Sequence, residues 1–274
     1  MIIDIYGILP LTAPSCIGRF MAILGIPGSG KTNTAAVIME GLLDAGIPIL
    51  VIDIDGEYFT MKEKFPNVTV IGRSLNTETD VNVTMSNINL VAEKSYLAGA
   101  PVVFDMSHIE DSAREEMLSI YLNTIWRLSA VHRIPLVIFL EEAHEWVPQV
   151  GKTTISPLLI RIAKRGRKRG LGMVMISQRS ADVHKSTLCM ADSAFLHQVT
   201  HPVDMKVYEG LIPWQPSRVK KTVQDLKEGE ALVLLDRKVT RHQIRRRSTR
   251  HVGFTPGLEN IPPRSYPCWT YSNE

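Results

Sequence analysis

The sequence predicts an α/β protein built on a mostly parallel sheet flanked by helices, with a C-terminal β-hairpin at the sheet edge. Three observations lead there. Short runs rich in β-branched residues alternate with longer stretches of helical composition. Most of those runs are nearly continuously apolar, as strands covered on both faces are. Residues 25–32 read GIPGSGKT, a glycine-rich turn of the kind that joins a strand to a helix and cradles phosphate.

The elements follow in chain order. Strand 20–24 (FMAIL) leads into the glycine-rich turn, and 31–45 continues as a helix. Strands are expected at 48–54 (PILVIDI), 68–71 (VTVI), 101–105 (PVVFD), 135–140 (PLVIFL), 172–177 (GMVMIS) and 194–199 (AFLHQV). Helices are expected at 86–98, 111–131, 155–169, 184–191 and 203–210. In 111–131 the apolar Met117, Ile120, Tyr121, Ile125 and Leu128 recur at roughly helical spacing. Residues 231–247 read as two strands about a turn near Arg237, and prolines and glycines beyond Val252 indicate an irregular tail. The expected organisation is one domain over 1–250 and a tail over 251–274.

GIPGSGKT is a complete phosphate-binding loop. Gly25, Gly28 and Gly30 let the backbone curl so that its N–H groups face phosphate oxygens. Lys31 adds a point charge for the outer phosphates, and the Thr32 hydroxyl suits Mg²⁺. The expected nucleotide contacts are Gly25, Pro27, Gly28, Ser29, Gly30, Lys31, Thr32 and Asn33, with ATP and Mg²⁺ as cofactors.

In a parallel sheet the reactive groups gather at the carboxyl ends of strands. Strand 135–140 ends in Glu141-Glu142-Ala143-His144. Two acids there can hold Mg²⁺ and orient an attacking water, so Glu141 is assigned to the metal, through water, and Glu142 to water activation. The usual first acid is Asp; Glu141 is one methylene longer. Strand 172–177 ends in Gln178, suited to sensing the γ-phosphate or its water. Strand 48–54 carries Asp53 and is followed by Asp55, Gly56 and Glu57, acids that would lie beside the phosphate loop if the two strands are near neighbours. Asp105, His197 and His201 are read as structural.

Composition bounds the partners. Apolar residues make up 45% and charged residues 22%, as in an ordinary protein with a core. Three scattered cysteines without C-x-x-C spacing argue against a disulfide framework or zinc cluster and fit a reducing, cytoplasmic setting. No apolar stretch approaches the ~18 residues of a membrane span. The net charge of +3 hides two acid-free segments, Trp146–Ala181 with eight Lys and Arg and Arg237–Leu258 with seven. Both point to a polyanionic partner contacted through its phosphate backbone, without base stacking. Six basic residues fall within Arg161–Arg169, and one of them could reach a neighbouring subunit's ATP as an arginine finger.

Together these residues resemble the HerA–FtsK superfamily of P-loop ATPases, on its HerA-like branch. The matching strings are GIPGSGKT (25–32), DIDGEY (53–58), LVIFLEEAHEW (136–146), GRKRGLGMVMISQR (166–179) and KEGEALVLL (227–235), in the family's order over about residues 20–250. The resemblance implies a RecA-like core assembled into a ring, commonly a homo-hexamer, that moves duplex DNA. It implies that Lys31 and Thr32 serve the phosphates and Mg²⁺, that Glu142 is catalytic and Gln178 the sensor, and that Arg167, ahead of Arg165, is the finger. Cellular HerA proteins carry an N-terminal β-barrel, whereas 24 residues precede Gly25 here. The expectation is a compact core like those of viral genome-packaging ATPases in the superfamily, and a nuclease partner is a weaker one. The leading functional expectation is an ATP-driven DNA translocase, for DNA processing or genome packaging. Its rival is an assembly or regulatory subunit that binds nucleotide without moving DNA.

Overall fold

The computed structural model describes residues 2–4, 10–12, 16–73 and 78–252. The expected tail lies outside them apart from 251–252. Two short strands that the sequence reading missed, β1 (Ile2–Asp4) and β2 (Pro10–Thr12), pair antiparallel. Ten more form one sheet: β3 (Phe20–Leu24), β4 (Ile49–Asp53), β5 (Thr69–Gly72), β6 (Val81–Asn82), β7 (Val102–Asp105), β8 (Leu136–Leu140), β9 (Leu171–Ser177), β10 (Ser193–Leu196), β11 (Glu230–Leu235) and β12 (Lys238–Gln243). Their order across the sheet is β12-β11-β10-β3-β9-β8-β4-β7-β5-β6. Every pairing from β10 to β6 is parallel, while β10–β11 and β11–β12 are antiparallel. The predicted hairpin is thus the sheet edge, turning at Asp236 and Arg237 with φ of 48° and 65°. This is the geometry of a two-residue turn whose twist matches the strands it joins.

The continuous apolar runs are explained by two cores, one on each face. Along β3, Phe20, Ala22 and Leu24 enter one cluster while Met21 and Ile23 enter the other; β8 divides in the same way. The helix Lys31–Asp44 covers the second face with Ala35, Ile38, Met39 and Leu42. The first face is covered by helices Ile88–Leu97, Asp111–Leu128, Ser156–Arg165 and Pro202–Leu211.

Three helices have no counterpart in the sequence reading. Met61–Lys64 and Ala143–Trp146 are single turns, and Pro216–Gln224 buries only Val219 and Val223, too little apolar content to read as periodic. The expected helix 155–169 ends at Arg165, and Gly166–Arg169 tightens into a 3₁₀ turn. The cause is at Gly166, where a Cβ would stand 2.5 Å from the Leu171 carbonyl oxygen as the chain enters β9.

Candidate active site

The phosphate loop leaves the carboxyl end of β3 and its last turn opens the helix Lys31–Asp44. Gly30 caps that helix at φ 103°, and a Cβ there would come within 2.9 Å of the Gly229 Cα, so a side chain is doubly excluded. The loop is tied from within: Ser29 Oγ donates to the Ile26 carbonyl at 2.7 Å and Lys31 Nζ donates to the same oxygen at 2.9 Å. Lys31 is 9% exposed. Burial lowers its pKa while Glu142, Glu141 and Glu57 pull it back up. Gly28, Gly30, Lys31, Thr32 and Asn33 line a cavity of about 810 Å³. Gly25, Pro27 and Ser29 do not line it. Pro27 is exposed, and Gly25 lets the loop close on its neighbours, since a Cβ would lie 2.6 Å from His197 Cβ.

The sheet order brings three predicted groups to one edge. β9 lies between β3 and β8, so Gln178, which follows β9, stands between the phosphate loop and the two acids that follow β8. Glu142 adopts φ 45° and ψ 51°, a left-handed conformation that costs a non-glycine residue about 1–2 kcal/mol. Its Oε2 lies 3.1 Å from His144 Nδ1, which in turn lies 3.2 Å from the Ser177 hydroxyl beside Gln178. Glu141 is buried, with one carboxylate oxygen lacking a hydrogen-bond partner. Burial pushes its pKa well up, and the charge of Asp53 adds to the shift.

The acids after β4 behave differently from the expectation. β4 is separated from β3 by β9 and β8. Asp53 is a turn residue, accepting from the N–H groups of Gly56 (2.9 Å) and Tyr58 (2.8 Å), and burial raises its pKa to about 7. Only Glu57 reaches the cavity wall. The histidines have structural contacts: His197 Nε2 meets Thr34 Oγ1 at 2.9 Å, and His201 caps the helix Pro202–Leu211. Among the described residues no group of three or more His, Cys, Asp or Glu could hold a metal, and no helix is long and apolar enough to cross a membrane.

Residues 9–124 match the family described as Helicase HerA, central domain. A probable helicase of Methanocaldococcus jannaschii is 32% identical over 100 residues, covering 36% of this chain and 20% of that protein. The DNA double-strand break repair helicase HerA of Sulfurisphaera tokodaii is 21% identical over 311 residues, covering 80% of this chain and 63% of that protein. Over these residues and in its fold the chain resembles the HerA–FtsK superfamily of P-loop ATPases. Its fold is RecA-like. The genome packaging NTPase B204 of Sulfolobus turreted icosahedral virus 2, solved with ATP-gammaS, superposes with a TM-score of 0.57 at 16% identity, covering 83% of this chain and 98% of that one. The chain spans less than two thirds of the length of these two helicases.

Within this superfamily fold the two basic segments have different fates. Arg167 sits in the 3₁₀ turn that precedes β9, at the amino edge of the sheet. The seven residues of β9 separate it from Gln178 by roughly 20 Å at ~3.3 Å per residue, so it cannot serve its own chain's phosphates. Arg161, Lys164, Arg165, Arg167 and Lys168 are exposed. Arg169 is not part of that surface, since its guanidinium stacks 3.8 Å over the Trp126 ring.

In the second segment Arg237, Lys238, Arg241, Arg246 and Arg250 are exposed, but several of its arginines are paired with acids. Arg241 pairs with Glu230, Arg245 with the buried Glu40, and Arg250 with Glu63. The strap that follows β12 folds over the phosphate loop, and Arg246, Arg247, Thr249 and His251 line the same cavity. Asn33, which lines the cavity, also holds this strap: its Nδ2 donates to the Arg245 carbonyl and its Oδ1 accepts from the Arg247 N–H, both at 2.8 Å. No sequence motif marks these residues; the lack of acids in 237–258 was the only signal.

Proposed function

We propose that the chain is the ATP-hydrolysing core of a ring-forming DNA translocase acting on duplex DNA. The observation that carries the reading is the order β3-β9-β8, which sets the phosphate loop, Gln178 and Glu142 side by side at the carboxyl edge while the exposed basic run lies at the opposite edge. A hydrolytic site at one edge and unpaired arginines at the other suit subunits that meet head to tail, each lending Arg167 to its neighbour's triphosphate. The likeness to these proteins supports the same reading, because they bear the names of helicases and a genome packaging NTPase.

In this mechanism Lys31 turns from the Ile26 carbonyl to the outer phosphates, whose charge offsets the burial that weakens its own. The left-handed backbone of Glu142 turns its carboxylate off the end of β8, where it would take a proton from the attacking water. Gln178 would orient that water against the γ-phosphate. Thr32, on the cavity wall, and Glu141, whose buried unpartnered oxygen suits a contact through water, would be the oxygen donors for Mg²⁺. The ion would supply charge neutralisation at the β- and γ-phosphates. The exposed residues of Arg161–Lys168 not used as a finger would meet the DNA backbone, so binding should weaken with salt.

The test is ATP turnover with and without duplex DNA over a range of salt. Turnover should rise with DNA, and Lys31→Ala or Glu142→Gln should reduce it by about 10²–10⁴-fold. Turnover indifferent to DNA at every salt concentration would favour a nucleotide-dependent assembly subunit instead.

A further inference from the structure

The cavity beside the phosphate loop has two unlike walls. One is the loop and the first turn of its helix; the other is the segment from Gln243 to His251, which reaches back from the hairpin edge, and Glu57, Glu228 and Gly229 complete the lining. Glu141, Glu142 and Gln178 do not line it. The γ-phosphate must face those groups, so from Lys31 and Thr32, which meet the outer phosphates, this cavity extends toward the other end of the nucleotide.

The strap is held too firmly to be an idle tail. Glu40, fully buried on the loop's helix, accepts from the N–H groups of Ser248 (2.7 Å) and Thr249 (2.8 Å), from Thr249 Oγ1 (2.9 Å) and from Arg245 Nη1 (2.9 Å). Asn33 clamps it again one residue beyond Thr32, on both sides of Arg246. Two anchors on one helix fix Arg246 and Arg247 against the loop before any ligand arrives, which lowers the ordering cost of binding. Arg247 donates from Nε to Thr249 Oγ1 and from Nη2 to Thr60 Oγ1, yet its buried Nη1 has no partner. An incompletely satisfied guanidinium is costly unless an anion sits near it. Arg246 is exposed, and the buried Ile244 backs the same wall.

We propose that the strap is the subsite for the nucleoside and α-phosphate of the bound nucleotide, with Arg246 and Arg247 as its cationic contacts and Glu40 and Asn33 as its positioning residues. The subsite rests on the reading of the chain as a nucleoside triphosphate hydrolase. It differs from the phosphate loop in what it recognises. Lys31 serves the outer phosphates, so its contribution grows with phosphate number; the strap's contribution is common to AMP, ADP and ATP.

That difference is the experiment. Dissociation constants of AMP, ADP and ATP are measured by calorimetry in EDTA for the unaltered chain, Lys31→Ala and the double variant Arg246→Ala/Arg247→Ala. The double variant should weaken all three nucleotides alike, by about tenfold or more for the loss of charged contacts. Lys31→Ala should weaken ATP most and AMP least. Unchanged affinities in the double variant, or a loss confined to ATP, would overturn the subsite. If the double variant fails to fold, the exposed Arg246→Ala alone should still weaken all three several-fold, and unchanged constants there overturn the subsite equally. Intact, Lys31-sensitive binding with no effect of the strap variants removes only the subsite. An unaltered chain that binds no nucleotide removes the hydrolase reading as well.

Discussion

His197 lies under the phosphate loop, and its burial makes a quantitative prediction. Its ring is fully buried, with Nε2 against Thr34 Oγ1, and a Cβ on Gly25 would collide with it. Burial lowers its pKa from 6.5 to about 4, and the nearby Lys31 charge works in the same direction. Above pH 6.5 the imidazole is neutral in folded and unfolded chains alike, and pH has no leverage through it. Between 6.5 and 4 the unfolded chain takes up a proton that the folded chain refuses, so stability falls as pH falls. The slope is about 1.4 kcal/mol per pH unit, and the whole interval is worth on the order of 3 kcal/mol. The assay is urea unfolding from pH 7.5 to 4.5 of the unaltered chain and of His197→Asn. The variant should be less stable at pH 7.5, because Thr34 loses its partner, and the gap should close by about 2 kcal/mol at pH 5. Carboxylates titrating in the same range affect both proteins and cancel. Parallel profiles would refute the reasoning, since they would mean that a protonated His197 is tolerated beneath the loop.

Two further outcomes follow from backbone and topology. Arg167→Ala should bind ATP as tightly as the unaltered chain but hydrolyse it poorly, and mixing it with Lys31→Ala should restore part of the turnover, because each variant supplies what the other lacks. No recovery in steady-state turnover of the mixture would argue against a site completed between subunits. Arg237→Gly should stabilise the hairpin by about 0.5–1 kcal/mol, since Arg237 holds φ 65° at a turn position suited to glycine. A differential scan should find the melting temperature raised by ~2–4 °C per kcal/mol.

What could be read in the sequence was what lies contiguously in it. Strands β3, β4, β8 and β9 are apolar on both faces, so each appears as an unbroken run, and the loop and the Glu141-Glu142 pair follow their strands directly. The short β6 and the helix Pro216–Gln224 bury too few side chains to leave a period. The strap was illegible for a different reason. Its anchors join residues 209 and 214 positions apart, Glu40 to Thr249 and Asn33 to Arg247, and each is an ordinary polar residue on its own. Charge content alone could not find it, because a count of arginines does not reveal which acids they face. Arg241, Arg245 and Arg250 each meet a carboxylate from outside the acid-free segment.

Those pairings distinguish the two basic segments. In the second, Arg241, Arg245 and Arg250 are paired with acids, and Arg246 and Arg247 line the nucleotide cavity, which leaves Arg237 and Lys238 exposed at the hairpin turn. The exposed run Arg161–Lys168, which makes no such pairing among the described residues, is the stronger electrostatic footprint for a nucleic acid. The two surfaces are also at opposite edges of one parallel sheet. On the proposed reading a ligand held by the strap is bound in cis, whereas an Arg167 finger would come from another subunit. Binding and hydrolysis are separable on this arrangement: strap variants should change affinity and leave turnover at saturating ATP, while Arg167 variants should do the reverse.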